Sequence, residues 1–263
     1  MFAVQLKDKN AIIYGGGGAV GGAVAKAFAR EGAKVFLAGR TLARVQAVAD
    51  EIGGSAQAAE VDALDEAAIE RHFASTVEMV GRLDISFNAV GIRNTKLQGT
   101  ALTDLDVEQF SSPIATYTRS YFLTSRIAAR HMIKQKSGVI MTVTSSPSRA
   151  GIPMMGGVGP AMSAIEGLTR GLSAELAPHG IRVVGLRPLG MPDSGTIEEV
   201  YGLHANAWGI TREQFAGIIT GRTHAKRLPS LLEMANVAAF AASDNASAMT
   251  GTIVNLSLGN LDD

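Results

Sequence analysis

The chain has 263 residues, with 24 Lys and Arg balanced by 24 Asp and Glu, 30 Gly and no Cys. The missing cysteine excludes disulfides, zinc–thiolate sites, iron–sulfur clusters and a cysteine nucleophile. Zero net charge argues against nucleic acid as the main partner, which needs a basic surface, and the length suffices for one large core without staples.

Residues 1–10 already carry Lys7, Asp8 and Lys9, with no apolar core behind a basic start, so no secretory signal is expected. The longest uncharged stretches, 11–25 and 150–165, fall short of the ~20 apolar residues of a membrane span. The expectation is a soluble, cytoplasmic protein with no membrane partner.

From there short apolar runs alternate with longer amphipathic ones. Residues 11–14 read as a buried strand ended by the glycines 15–18, and 20–31 as a helix with Val20, Val24, Ala27 and Phe28 on one face. The next strand and helix are 34–38 and 42–51, followed by strand 56–61, helix 66–80 and strand 85–89. Residues 106–135 hold a long helix, kinked or restarted near Pro113. Strand 139–143, helix 159–177, strand 182–186, helix 231–243 and strand 252–256 complete the series.

Strands spaced by helices of this length imply right-handed βαβ units. The fold class is α/β, a doubly wound, Rossmann-type parallel sheet in a single domain spanning 1–263. Only 189–222 breaks the alternation, as an excursion of short helical pieces of the kind that covers a site.

The run Tyr14-Gly-Gly-Gly-Gly-Ala-Val-Gly21 lies between the first strand and the first helix. Glycines there let the backbone turn tightly and approach a pyrophosphate at the helix N-terminus. A plain glycine turn is the alternative; the position favours dinucleotide binding.

With these residues the chain resembles the short-chain dehydrogenase/reductase family over nearly its whole length. The family's TGxxxGxG stands here as residues 14–21, with Tyr14 for Thr and Ala19 for the middle Gly. Asp62-Ala63 occupies the place of the Asp near the adenine, and Asn88-Ala89-Val90-Gly91 that of NNAG. Ile181-Arg182-Val183 with Pro188, Ala241-Ala242-Ser243-Asp244 and Met249-Thr250-Gly251 are similar to its later motifs. The resemblance implies a cofactor site made by Gly15, Gly17, Gly18, Val20, Gly21, Arg40, Asp62, Ala63, Asn88, Ala89, Val90 and Pro188. Gly39-Arg40 ends the second strand where a carboxylate would bind the ribose hydroxyls of NAD. Without it, Arg40 has room to pair with a 2′-phosphate, so NADP(H) is favoured over NAD(H), a solvated surface arginine being the alternative.

The family's reaction uses a Tyr as proton donor, a Lys four residues later, a Ser that polarises the carbonyl and an Asn on the long helix. Ser145 falls at the serine position. The run from Ser163 to Arg170 aligns with the family's KAA..GLTR pattern and puts Val158 at the Tyr position and Met162 at the Lys position. No Tyr lies between Tyr121 and Tyr201, and no Lys between Lys136 and Lys226, so no shift of register restores either. Tyr117 stands at the Asn position. Valine and methionine donate neither proton nor charge, and losing general-acid catalysis costs about 10²–10⁴ in rate.

Tyr117 is thus a relocated acid near Ser145 or a core aromatic. Ser145 bonds substrate or caps the strand end. Met154, Met155 and Val158 line an apolar substrate pocket or simply pack. His204 and Trp208 serve as lid or packing, His131 reads as a solvated helix residue, and no cluster has metal-ligand spacing, so no metal is expected. Homo-oligomerisation, as tetramer or dimer, is implied by the resemblance, with Ala128, Ala161, Ala164 and Leu168 as small or apolar residues for contacts between copies, packing against the chain's own sheet being the alternative for some of them.

Three functions follow. The first is an NADP(H)-dependent oxidoreductase with an altered proton path, acting on a small, largely apolar carbonyl or imine-type substrate. The second is a non-catalytic nucleotide-binding partner, and the third an isomerase or cyclase on the same fold. A cofactor site kept this complete favours the first.

Overall fold

The computed structural model describes residues 4–262. Met1, Phe2 and Ala3, part of the stretch read for a signal, and Asp263 lie outside the described residues. Seven strands form one parallel sheet: β1 (Asn10–Tyr14), β2 (Lys34–Gly39), β3 (Ala56–Glu60), β4 (Ile85–Asn88), β5 (Gly138–Val143), β6 (Ile181–Pro188) and β7 (Thr252–Leu256). Their spatial order is β3-β2-β1-β4-β5-β6-β7, every neighbouring pair parallel. The doubly wound expectation holds.

Helices cover both faces, which is why the central strands are apolar along their whole length rather than alternating. Along β1, Ala11 and Ile13 pack toward Val24 and Phe28 of α1 (Ala19–Arg30) and the buried face of α8 (Leu231–Ala242). Ile12 and Tyr14 point the other way, into a second core with Ile69 and Phe73 of α3 (Glu66–Val80) and Ile127 and Met132 of α4 (Val107–Gln135). The two-residue period of a strand divides one run between two cores. Each buried Ile or Phe contributes about 1.5–3 kcal/mol.

The helix α4 runs without interruption through Pro113 rather than restarting there. Asp106 caps it, its Oδ1 accepting from Glu108 N at 2.8 Å and Gln109 N at 3.3 Å. Proline in the seventh position removes a single donor, and the rest of the ladder carries the helix across. The helix α2 (Leu42–Ile52) follows β2, and α5 (Val158–Leu176) follows β5.

One sequence reading is corrected, and two that were left open are decided. His131 is not simply solvated: it is half-buried, its ring 4.5 Å from that of Phe73. Ala128 and Ala161 are fully buried inside the chain and serve its own core, leaving only Ala164 and Leu168 of that set partly exposed. Trp208 packs on Phe215 at 5.4 Å within a small core of the excursion, which consists of α6 (Gly195–Trp208) and α7 (Arg212–Arg222). Among the described residues no helix is long and apolar enough to cross a membrane.

Candidate functional site

The strand order reverses direction between β1 and β4, and the loops leaving those strands diverge. In an open parallel sheet a ligand crevice opens at that point, beyond the carboxyl ends of the strands. Here a continuous cleft of about 740 Å³ runs there, from the end of β2, past the glycine turn, to the ends of β5 and β6.

The glycine turn is built by close backbone approach. Gly15 has φ +74°, and a Cβ on it would lie 2.5 Å from the Ala89 carbonyl oxygen. A Cβ on Gly21 would lie 2.3 Å from the Gly15 carbonyl oxygen. Both positions therefore need glycine, Gly15 for its conformation and both for space. The helix α1 begins at Gly18 with no side-chain cap and no acidic residue in its first turn, so its free N–H groups and positive dipole end suit an anion. A pyrophosphate fits this cradle.

Of the residues expected to hold the cofactor, Gly15, Gly17, Gly18, Val20, Arg40, Asp62, Ala63, Ala89, Val90 and Pro188 all line the cleft. Gly21 does not; it lets the first turn of α1 seat against Gly15. Asn88 does not line it either. Its Nδ2 donates to Ser120 Oγ at 3.1 Å and Thr124 Oγ1 at 2.9 Å, and its Oδ1 accepts from Val90 N at 2.8 Å. Fully satisfied and 2% exposed, it ties α4 to the loop after β4. Arg44, from the first turn of α2, joins Arg40 at the β2 end, a neighbour the sequence reading did not single out.

At the other end Ser145 follows β5 and lines the cleft half-buried, and its hydroxyl makes no cap to the turn it precedes. The segment that carries it is anchored from below. Glu166 of α5, 2% exposed, accepts from Ser148 Oγ at 2.5 Å and Thr144 Oγ1 at 3.3 Å, and Arg187 Nε of β6 lies 3.2 Å from the same oxygen. One buried carboxylate thus fastens α5, β6 and the Ser145 segment together. Periodicity places Glu166 on α5 but gives no sign of this role.

Val158 and Met162 are buried in an apolar cluster with Ala161, flanked by Ile114, Tyr117 and Met155. Met155 and Val158 line the cleft; Met154 does not. Met154 adopts a left-handed backbone (φ 61°), and its carbonyl accepts from Gly99 N at 2.9 Å. Tyr117 lines the cleft from α4 with its ring in the cluster. Burial raises its phenol above the ordinary value, and a backbone hydrogen bond at Ile92 opposes the shift. It retains its proton at neutral pH.

The helix α6 closes the cleft from the excursion. Glu199 Oε1 accepts from Asn94 N at 3.2 Å, Thr95 N at 2.8 Å and Thr95 Oγ1 at 2.5 Å. One turn on, His204 Nε2 meets Gln98 Oε1 at 3.1 Å. His204 and Tyr201 both belong to the lining of the cleft, a role the sequence signals for His204 only by its place on the excursion. Among the described residues no group of three His, Asp or Glu is placed to hold a metal.

Comparison with known proteins matches nearly the whole chain. A model of the family described as enoyl-(acyl carrier protein) reductase matches residues 17–260. A protein named as an uncharacterized oxidoreductase of Thermotoga maritima is 31% identical over 260 residues, 98% of this chain and 99% of its own length. Sorbitol-6-phosphate 2-dehydrogenase SrlD of Erwinia amylovora superposes with a TM-score of 0.89 at 27% identity, covering 96% of this chain and 100% of that one. An NAD+-bound xylitol dehydrogenase also superposes with a TM-score of 0.89, at 25% identity, covering 95% and 98%.

Proposed function

The chain belongs to the short-chain dehydrogenase/reductase family of NAD(P)-dependent oxidoreductases, and from that premise we propose an NADP(H)-preferring enzyme for a small, largely apolar carbonyl or imine-type substrate. The observation that carries the reading is the continuity of the cleft, from the glycine turn and Arg40 to Ser145 and the apolar block of Val158 and Met155. The bound nicotinamide would supply or accept the hydride. Gly15, Gly17 and the N-terminus of α1 hold the pyrophosphate, and Arg40 with Arg44 meets a 2′-phosphate. Ser145 donates a hydrogen bond to the substrate oxygen or nitrogen. No phenol–ammonium pair stands at 158 and 162, so a substrate that needs little acid help, such as an imine already protonated, suits the site. Fluorescence titration with NADPH and NADH, followed by a turnover screen of ketones and imines, tests this; no consumption of either cofactor with any substrate refutes it.

The same apolar block favours a second reading, a non-catalytic nucleotide-binding partner or a non-redox isomerase or cyclase, for which buried Val158 and Met162 need no replacement. The proposal also includes assembly into a homo-oligomer, tetramer or dimer. Phe122 on α4 and Leu232 and Phe240 on α8, large apolar side chains that stand exposed, support it.

Two outcomes are expected. Arg40→Ala lowers NADPH affinity by about tenfold or more and changes NADH affinity little, because a charge-assisted contact to the extra phosphate is lost. Equal losses, measured by the same titration, would remove Arg40 as the discriminating residue. In addition, Val158→Tyr with Met162→Lys does not create a ketone reductase. Met162 is 4% exposed among apolar neighbours, where an ammonium loses its proton, and the phenol would press on Tyr117. Adding Tyr117→Asn makes room and raises turnover above that of the double variant. A double variant as active as the triple shows that Tyr117 does not obstruct.

A further inference from the structure

The lid helix α6 carries, on two side chains that line the cleft, two buried polar atoms that have no partner among the described residues: the Tyr201 hydroxyl and His204 Nδ1. Both side chains are more than nine-tenths buried, Tyr201 at 7% and His204 at 1% exposure. Buried polar groups in folded proteins are almost always paired, so two orphans one helical turn apart in a ligand cleft require an explanation.

Hydrogen bonds determine what each atom offers. Asn94 Nδ2 donates to the Ile92 carbonyl at 3.4 Å, leaving Asn94 Oδ1 to accept from Gln98 Nε2 at 2.6 Å. That orients the Gln98 amide so that its Oε1 accepts from His204 Nε2 at 3.1 Å. The imidazole therefore carries its hydrogen on Nε2, and Nδ1 presents a bare lone pair. Burial lowers the basicity of His204 and keeps the ring neutral. The Tyr201 phenol, pushed up to about 12 by burial, keeps its hydrogen to donate. It stands over Gly190, just beyond β6, where a Cβ would lie 2.6 Å from its oxygen. Phe215 braces the pair, stacked on His204 at 5.3 Å and edge-on to Tyr201 at 5.2 Å.

We infer that Tyr201 and His204 form a hydroxyl-recognising subsite of the substrate cleft. A neutral alcohol group donates its hydrogen to His204 Nδ1 and accepts one from the Tyr201 hydroxyl. A carboxylate or phosphate would meet the lone pair of Nδ1 with negative charge and is disfavoured; a ketone oxygen has no hydrogen to give it. The inference rests on the reading of this cleft as a substrate site and narrows it. The substrate carries, besides its reacting carbon, an alcohol on an apolar skeleton.

The full chain, with and without saturating NADP+, is titrated with cyclohexanol and with cyclohexanone while the ¹⁵N resonances of its histidines are followed. Saturable movement of the His204 Nδ1 resonance with cyclohexanol and not with cyclohexanone is expected. His204→Phe weakens cyclohexanol binding by about tenfold and leaves cyclohexanone unchanged, whereas Tyr201→Phe weakens both. No movement of Nδ1 in the unaltered protein overturns the inference even where the variants fail to fold, since it means the atom meets only water or nothing. Equal weakening of both probes by His204→Phe overturns it as well. Failure of the oxidoreductase reading is separate: it appears as no cofactor consumption, with or without the Nδ1 response.

Discussion

Gly21→Ala lowers the affinity for NADPH and NADH alike by more than about a hundredfold, while far-ultraviolet circular dichroism stays that of the folded protein. The added Cβ falls 2.3 Å from the Gly15 oxygen and 2.8 Å from the Gly15 carbonyl carbon, both backbone atoms of the turn that should cradle the pyrophosphate. Side-chain rotation cannot relieve such a contact, so α1 and the turn must separate. Separation moves the N–H groups at the start of α1 away from the position where they meet the phosphate charge. Because Gly15 itself needs φ +74° and sits against Ala89, the turn has little freedom to follow. Gly18→Ala is the control: its nearest non-neighbouring atom is 3.2 Å away, so a smaller loss is expected. Binding by the Gly21→Ala protein within threefold of the unaltered one would mean that this cradle does not hold the dinucleotide.

Glu166→Ala has the largest expected effect on stability, about 3–5 kcal/mol, the range for removing one partner of a buried charge pair. The carboxylate serves Ser148, Thr144 and Arg187 at once, from a position 2% exposed. Without it two hydroxyls and a guanidinium lose an acceptor in a place water does not readily reach. Glu166→Gln keeps the shape and one accepting oxygen but loses the charge, so its loss lies between those of the alanine variant and the unaltered protein. Urea unfolding at one fixed protein concentration measures both, with the midpoint falling in the order unaltered protein, Gln, Ala. A Glu166→Ala midpoint within about 1 kcal/mol of the original, once multiplied by the slope, would show that the contacts are replaced by others. The Ser145 segment loses its anchor in the same variant, so any turnover falls further than stability alone explains.

Much of the fold is legible from the order of residues alone. Runs such as Ala11 to Tyr14 and Val139 to Val143 are too short for helices and lie between helical periods. An α/β alternation with a parallel sheet follows from that pattern. The glycine turn is equally local: its chemistry depends on a strand, a run of glycines and a helix that are consecutive in the chain. Pro113 shows the limit of such reading. A proline in a helical pattern signals a break, yet α4 continues through it because Asp106 caps its start and its buried face, with Tyr121, Leu123 and Ile127, is held by the core.

The chain by itself determines the sheet-and-helix alternation, the glycine turn for a dinucleotide, the apolar residues at 158 and 162, and the absence of cysteine chemistry. These are properties of residue identity or of neighbours within one turn or strand. Only the tertiary structure decides that Asn88 is a brace rather than a lining residue, that Met154 does not line the cleft, and that Trp208 packs while His204 and Tyr201 line it. It also decides that Glu166 secures the Ser145 segment. Each of these depends on partners far along the chain: Asn88 on Thr124, Glu166 on Arg187, His204 on Gln98. Helical and strand periods place a residue on a face, but which atoms that face meets is set by how the elements pack. Hydrogen bonds and buried charges, acting over about 3 Å, register only the packed result.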